Sequence, residues 1–447
     1  MYNDTIVAIA TPAGEGGIGI VRISGPQARA IAERLCGKPL LDHQLSYARL
    51  HSEGAVLDEV MVALMLAPRS YTREDVVEIS GHGGAANLAR ILGAVLAAGV
   101  RQAGPGEFTL RAFLNGRLDL AQAEAVLDII TAQTRPALDA AQAQLGGRLS
   151  DELAVARAAL LTALAHIEAS LDFPEDEVPT PDVRLELEQA AAALTRLLDT
   201  ARAGILYRQG LRVAIVGKPN VGKSSLLNAL LGVERAIVTP IAGTTRDTVE
   251  EGASMAGIPL LLIDTAGIRA EAGDAVEQIG IERSRQAIQR ADFVILVLDG
   301  SAPLDEADRA VIAVVQEAGG RLLVALNKAD LPPLLGTASL RTLLPNATLV
   351  PTSALQGQTA ALEQAITQLA LGGLQPQAGQ PLVTSTRHQE AINRAAGHVQ
   401  AARESDAPPD LLAVEIRAAL AAIGEVTGET IGEDLLDQIF SRFCIGK

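Results

Sequence analysis

Lysine is scarce: of 37 basic residues only Lys38, Lys218, Lys223, Lys328 and Lys447 are Lys. Cysteine is scarcer, with two in 447 residues. Cys36 and Cys444 cannot build a disulfide framework, and their spacing fits no zinc pattern. Positive charge is in deficit, since 53 acidic side chains leave a net charge of −16. A broad nucleic-acid footprint needs a basic surface to neutralise phosphates, so this chain alone does not read as a general nucleic-acid binder. Long hydrophobic runs are lacking as well. The run 91–100 is closed off by Arg90 and Arg101, well short of the ~18 residues of a membrane span. The opening MYNDTIVAIATP has neither a basic start nor a long apolar stretch, so no signal peptide is expected and the expected location is cytoplasmic.

What is present is a globular composition, 48% hydrophobic and 20% charged, with enough length for about three domains at roughly 150 residues each. Residues 1–119 mix β-rich runs at 5–10, 18–24 and 60–66 with helical segments near 27–35 and 87–98, the texture of an α/β domain. From 120 to 208 the pattern is Ala-rich and amphipathic, carried by Leu138, Leu145, Leu149, Leu153, Leu160, Leu164 and Ile167, with a break at 173–179. Residues 209–372 alternate apolar runs (212–216, 259–263, 293–298, 321–326) with helical stretches, as buried parallel strands of a doubly wound sheet do. Helical texture returns in 373–447. The fold class expected is therefore multidomain α/β and α, with the third segment inserted into a helical domain.

The chemistry concentrates in that inserted segment. Gly217-Lys218-Pro219-Asn220-Val221-Gly222-Lys223-Ser224 matches G-x-x-x-x-G-K-[ST] between a strand and a helix opening at Ser225, the context of a phosphate-binding loop. Backbone N–H groups and the helix N-terminus favour phosphate there; Lys223 is placed to reach the β- and γ-phosphates and Ser224 to ligate Mg²⁺. Asp264-Thr265-Ala266-Gly267 closes an apolar strand, where Asp264 can hold Mg²⁺ through water. Asn327-Lys328-Ala329-Asp330 selects the base. A carboxylate accepts two hydrogen bonds from the guanine edge, and adenine offers no such pair. Ser353 and Ala354 complete the base pocket, so the nucleotide is GTP. Thr244 and Thr245 lie in a loop that a γ-phosphate and Mg²⁺ can order, with Thr245 the preferred Mg²⁺ ligand.

The position after Gly267, where many switch GTPases carry a water-orienting Gln, is Ile268. Glu271, Asp274, Glu277 and Glu282 are candidates for that task, and spacing does not choose among them. Gly14-Glu15-Gly16-Gly17-Ile18-Gly19 satisfies G-x-G-x-x-G, but a strand pattern follows it where a dinucleotide site needs a helix.

Together with GTTRD, GIERS, FCIGK, DTIVAIATPAGEGGIGIVRISG and GPGEFTLRAFLNGRLDLAQAEAVLDII, these motifs resemble the MnmE (TrmE) family of tRNA modification GTPases along the whole chain. The resemblance implies a folate-binding and dimerisation domain at 1–119, a helical domain formed by 120–208 and 373–447, and a G domain at 209–372. It implies modification of carbon 5 of wobble uridine, to a carboxymethylaminomethyl- or aminomethyl-type product, with 5-formyl-tetrahydrofolate or a related reduced folate. A flavoprotein partner, MnmG, would carry any FAD, and tRNA would be shared substrate. It further implies a homodimer whose G domains meet when GTP is bound, and K⁺ held by Asn220, Thr239, Ile241 and Thr244. Val221, Gly222 and Ser225 complete the GTP-binding set. Glu282 becomes the water-orienting residue, and Arg22, Glu78, Arg117 and Lys447 the folate contacts. Cys444, in the C-x-G-K signature, is either a reactive thiol or a small buried residue. The alternative is a ribosome-assembly or RNA-chaperone GTPase sharing only the G domain.

The acidity is unevenly spread. Residues 1–119 carry 11 basic and 12 acidic side chains, 209–372 carry 13 and 17, and the helical remainder 13 and 24. The surplus sits on the helical part, which implies that a partner supplies most of the tRNA-binding surface.

Overall fold

The computed structural model describes residues 4–172, 182–233, 251–263, 285–318, 321–372, 383–404 and 407–447. They form two compact units: Met1–Leu127 with Gln144–Ala191 and Arg394–Lys447, and Asp128–Ala143 with Ala192–Asn393.

In the first unit the strands β1 (Ile6–Ile9), β2 (Ile18–Ser24), β3 (Leu45–Ser52), β4 (Ala55–Met65), β5 (Val76–His82) and β6 (Arg101–Gln102) join in the order β3-β4-β5-β2-β1-β6. Alternation sets one face inward. Val21, Ile23, Val60, Val62, Val77 and Ile79 are buried with Ile31 and Leu35 of α1 (Ala28–Cys36) and Leu88, Ile91 and Val95 of α2 (Ala85–Leu96). Gly19 is required for this packing, since a Cβ there would fall 2.6 Å from the Leu88 side chain. The strand β2 runs straight on from the Gly14–Gly19 loop, so no helix follows those glycines.

The helix α3 (Glu107–Leu114) carries Arg111, whose side chain is 1% exposed and is paired with Asp4, Glu74 and Glu107 at 2.7, 3.2 and 2.9 Å. A guanidinium buried this deeply is tolerable because several carboxylates compensate it. Phe440 and Phe443 pack with Leu120 and Ala123, bringing the chain from 433 onward against α3.

Helical texture after residue 118 resolves into α4 (Leu120–Thr131), α5 (Arg135–Leu145), α6 (Arg148–Asp172) and α7 (Arg184–Gln209). The Leu145 and Leu149 positions that read as one register lie on separate helices, because Gly147 adopts φ +88° between them. By length and composition α6 could span a membrane, its Arg148–Leu171 stretch reaching a mean hydropathy of 1.3. A count of uncharged residues missed it because single charges interrupt an Ala/Leu-rich sequence. Its Leu149, Leu153, Leu160 and Ile167 are buried, it packs against the helix Pro409–Thr427, and Glu168 pairs with Arg417. Its buried share is 33%, one stripe of the helix facing its neighbours.

In the second unit the strands are β7 (Leu211–Val216), β8 (Glu251–Met255), β9 (Ile258–Ile263), β10 (Phe293–Asp299), β11 (Arg321–Asn327) and β12 (Thr348–Pro351), in the order β12-β11-β10-β7-β9-β8. Every pairing is parallel except β8 with β9. Both faces are covered, one by a cluster that includes Leu226, Leu230, Leu362 and Ile366, the other by one that includes Ile312, Val315 and Leu340. This is the doubly wound sheet that its continuous apolar runs predict. The expected segments at 173–179, 239–245, 264–284 and around 375–380 lie outside the described residues.

Candidate functional site

The order of the sheet decides where a ligand sits. The strand β7 lies between β9 and β10: the chain runs from β7 out to β8 and β9, then crosses to β10 on the other side, which makes the C-terminal end of β7 a switch point where such sheets bind ligands. There the chain turns through residues 217–222 into α8 (Lys223–Val233). Three of these residues have positive φ: Gly217 at +157°, Asn220 at +63° and Gly222 at +95°. Asn is among the few side chains at ease in the left-handed region. Gly222 has no substitute, since a Cβ there would lie 2.2 Å from Asn327 Nδ2. Lys223 is 8% exposed, and its Nζ donates to the carbonyls of Gly217 and Lys218 at 2.9 and 2.8 Å. Ser224 is half-buried in the first turn of α8, while Ser225 and Asn220 are exposed and Val221 is buried.

The loop after β11 is tied to this turn. Asn327 Nδ2 donates to the Val221 carbonyl at 2.8 Å, and its Oδ1 accepts the Ala354 N–H at 3.0 Å. One buried amide thus joins the phosphate loop to the Ser353–Ala354 segment. Ser353 Oγ donates to Asp330 Oδ1 at 2.6 Å, and the Ala329 N–H donates to the Thr352 carbonyl. Asp330 itself is exposed. Lys328, at φ +65°, reaches Asp299 at 2.7 Å, and Asp299 also accepts from the N–H and hydroxyl of Ser301. Burial works against the charge on Asp299, but the Lys328 and Ser301 bonds prevail and hold its pKa below the ordinary carboxylate value. Sequence reasoning missed Asp299, although an Asp ending the strand beside β11 was the available signal.

The structure therefore brings together Asn220, Val221, Gly222, Lys223, Ser224, Ser225, Asn327, Lys328, Asp330, Ser353 and Ala354. Thr239, Ile241, Thr244, Thr245, Asp264, Gly267 and Glu282 lie outside the described residues. Among the described residues no group of three or more His, Cys, Asp or Glu is arranged to hold a metal.

A second cluster lies in the first unit. Arg22 of β2 stands opposite Glu78 of β5 in register, and its Nε donates to Glu78 Oε1 at 2.8 Å. The Arg22 NH1 donates to the Gly446 carbonyl at 3.1 Å, bridging residues 424 apart in sequence. The strap 444–447 is bonded along its length: Phe108 N–H donates to the Lys447 carbonyl and Gly106 N–H to that of Cys444. Gly446, at φ +97°, passes so close to β1 that a Cβ would lie 2.3 Å from the Ile9 carbonyl oxygen. Half-buried Lys447 has its pKa lowered by burial and then by neighbouring Arg22, against the opposite pull of Glu78. The Tyr71 ring lies 5.5 Å from the Arg22 guanidinium and 4.7 Å from that of Arg117, with its hydroxyl 2.9 Å from Thr109 Oγ1. Cys444 is exposed, so it is not the small buried residue that sequence left open. Tyr71 was missed, having no motif to mark it.

Residues 5–117 match the family described as GTP-binding protein TrmE N-terminus, and residues 120–444 the MnmE helical domain. The tRNA modification GTPase MnmE of Roseiflexus sp. (strain RS-1) is 52% identical over 474 residues, covering 100% of both chains. The chain belongs to the MnmE family. Further MnmE relatives are those of Chloroflexus aurantiacus, 52% identical over 458 residues, and Heliobacterium modesticaldum, 46% over 469, again covering 100% of each chain. Among solved structures, translation elongation factor SelB from Methanococcus maripaludis with GppNHp covers 37% of this chain and 35% of its own, at 14% identity and a TM-score of 0.26, too loose to argue from.

Proposed function

We propose that this member of the MnmE family uses K⁺-dependent GTP hydrolysis to drive folate-dependent modification of carbon 5 of wobble uridine, with MnmG as flavoprotein partner. The chain is a GTPase, and tRNA is its substrate class. The finer statements rest on the two clusters. The observation that carries the reading is the Asn327 bridge, which makes the phosphate loop and the base-reading loop one rigid pocket. Residues 209–372 then act as a G domain inserted into a helical domain made of 120–208 and 373–447, behind a folate-binding domain at 1–119.

In this reading Gly222 and the first amides of α8 take the phosphates, and Lys223 neutralises them. The side chains suit Mg²⁺, which takes one or two protein oxygens beside phosphates and waters rather than a carboxylate cage. Ser224 and Thr245 would hold it directly and Asp264 through water. Asn220, exposed on the outer bend of the loop, would hold K⁺ with Thr239, Ile241 and Thr244. When bound, the two cations supply positive charge against the developing phosphoryl charge. Glu282 orients the attacking water. Ser353 fixes one oxygen of Asp330, so the carboxylate meets the guanine edge in a set orientation. Arg22, Glu78, Arg117 and Lys447 suit a reduced folate, Glu78 accepting from the pterin donors and the cations facing its carboxylates. A homodimer forms through the N-terminal domain, and its G domains meet when GTP is bound.

Hydrolysis is expected to be at least about tenfold faster in K⁺ than in Na⁺, because a cation of the wrong size loses its fixed place. Glu282→Ala is expected to retain GTP binding and lose about a hundredfold or more in kcat in either salt. Steady-state phosphate release in matched chloride salts checks both; equal rates in the two salts would remove K⁺ from the mechanism. Asp330→Asn exchanges an acceptor for a donor and is expected to shift preference from guanosine toward xanthosine nucleotides by about ten- to a hundredfold. Competition between GTP and XTP measures it, and an unshifted preference would deny Asp330 the base-reading role.

A further inference from the structure

Among the described residues three side chains anchor the phosphate loop, and two of them, Lys223 and Asn327, are the defining residues of nucleotide motifs. Lys223 ties down the carbonyls of Gly217 and Lys218, and Asn327 ties down that of Val221. The third is Lys218, at an x position of the loop's own pattern, and its partners lie in no motif. Lys218 Nζ donates to Asp305 Oδ2 and to Asp308 Oδ2, each at 2.7 Å. These two carboxylates also cap each other's backbone at the start of the helix Glu306–Ala318: Asp308 N–H donates to Asp305 Oδ1, and Asp305 N–H to Asp308 Oδ2. The ammonium is seated in a preformed capping box, 87 and 90 residues away in sequence.

We propose that Lys218 is a positioning residue for GTP hydrolysis, pinned by Asp305 and Asp308 so that the first half of the phosphate loop keeps its shape. Two consequences follow from the geometry. The Lys218 carbonyl accepts from Lys223, so movement of residue 218 shifts the ammonium that must meet the phosphates. Asn220 lies two residues on, across Pro219, so its side chain moves with the same segment. The charge matters as much. The Asp308 side chain is 4% exposed and Asp305 is 56% exposed. Without Lys218 both carboxylates stand unpaired beside a loop that must accept a polyanion. The Lys218 bond is the first cause holding Asp305 at a pKa of about 2, so both partners remain charged across the physiological range.

The inference rests on the GTPase reading, and the two fail differently: an inert unmutated protein sinks the reading, whereas an active one lets the clamp be tested. In the full-length chain with GTP, Mg²⁺ and K⁺, Lys218→Ala is expected to lower kcat at saturating GTP by at least about tenfold, the scale on which small displacements of reacting groups act. It is also expected to raise KM. Lys218→Arg, which still spans both carboxylates, restores most of kcat. Adding Asp308→Asn to Lys218→Ala removes the buried unpaired charge, so KM recovers while kcat stays low. Circular dichroism confirms that each variant is folded. A Lys218→Ala protein with a lower Tm but unchanged kcat and KM would make the clamp merely structural and overturn the proposal. So would a Lys218→Arg protein as slow as Lys218→Ala. If Lys218→Ala does not fold, Asp305→Asn with Asp308→Asn replaces it, and unchanged kcat in that variant overturns the proposal equally.

Discussion

Gly222→Ala is expected to abolish measurable GTP binding while leaving the chain folded. The reason is local. The new Cβ would lie 2.2 Å from Asn327 Nδ2, so the Asn327 side chain must leave. Its bonds to the Val221 carbonyl and the Ala354 N–H go with it. Two buried hydrogen bonds are worth about 1 kcal/mol each, with more lost where a partner is left unsatisfied. Holding alanine at φ +95° adds about 1–3 kcal/mol of strain. The sum, about 3–5 kcal/mol, exceeds a hundredfold in affinity. Gly232, further along α8, provides the control: nothing lies within 4 Å of a Cβ there, and Gly232→Ala should bind as the unmutated protein does. Titration with a fluorescent GTP analogue distinguishes the two. Affinity of Gly222→Ala within tenfold of normal would mean that the Asn327 bridge does not hold the pocket.

Removing Gly446 and Lys447 is expected to eliminate binding of 5-formyl-tetrahydrofolate without slowing GTP hydrolysis at saturating GTP. Arg22 would lose the Gly446 carbonyl and turn wholly to Glu78, neutralising the carboxylate proposed to read the pterin. The Lys447 charge, placed beside both, disappears. Hydrogen bonds to charged groups contribute about 1.5–3 kcal/mol each, so losing two exceeds a hundredfold in affinity. Calorimetric titration is the measurement. Undiminished binding by the shortened chain would exclude the strap from the site, and loss of GTP hydrolysis alongside would show that the deletion had damaged more than one domain.

Much of the candidate nucleotide site was legible because its parts are short runs whose spacing is fixed by one turn of backbone. The residues around Lys223 and Asn327 declare themselves as 217–224 and 327–330, and the doubly wound sheet that presents them follows from unbroken apolar runs such as Phe293–Asp299. What stayed hidden was made by tertiary contact between motif and non-motif residues. Asp299 gains meaning only because β10 and β11 pair in register, setting Asp299 opposite Asn327 and next to Lys328. In the first unit β3 and the first half of β4 went unread, since their outward faces carry exposed Leu45, Tyr47 and Val56, blurring the alternation that marks a strand. Helix boundaries after residue 118 were misread for a related reason. Ala-rich sequence keeps helical propensity across a break, and only the backbone at Gly147 ends one helix and starts the next.

The strap also has a consequence in time. Ribosomes make β2 early and reach Gly446 after 424 further residues. At about 5–20 residues per second, Arg22 waits roughly 20–85 s for its carbonyl partner. A chain abandoned at any point before residue 446 can fold its first sheet yet never seat that arginine. The cluster therefore assembles only once residue 446 has been made, and any activity that depends on it waits for that residue.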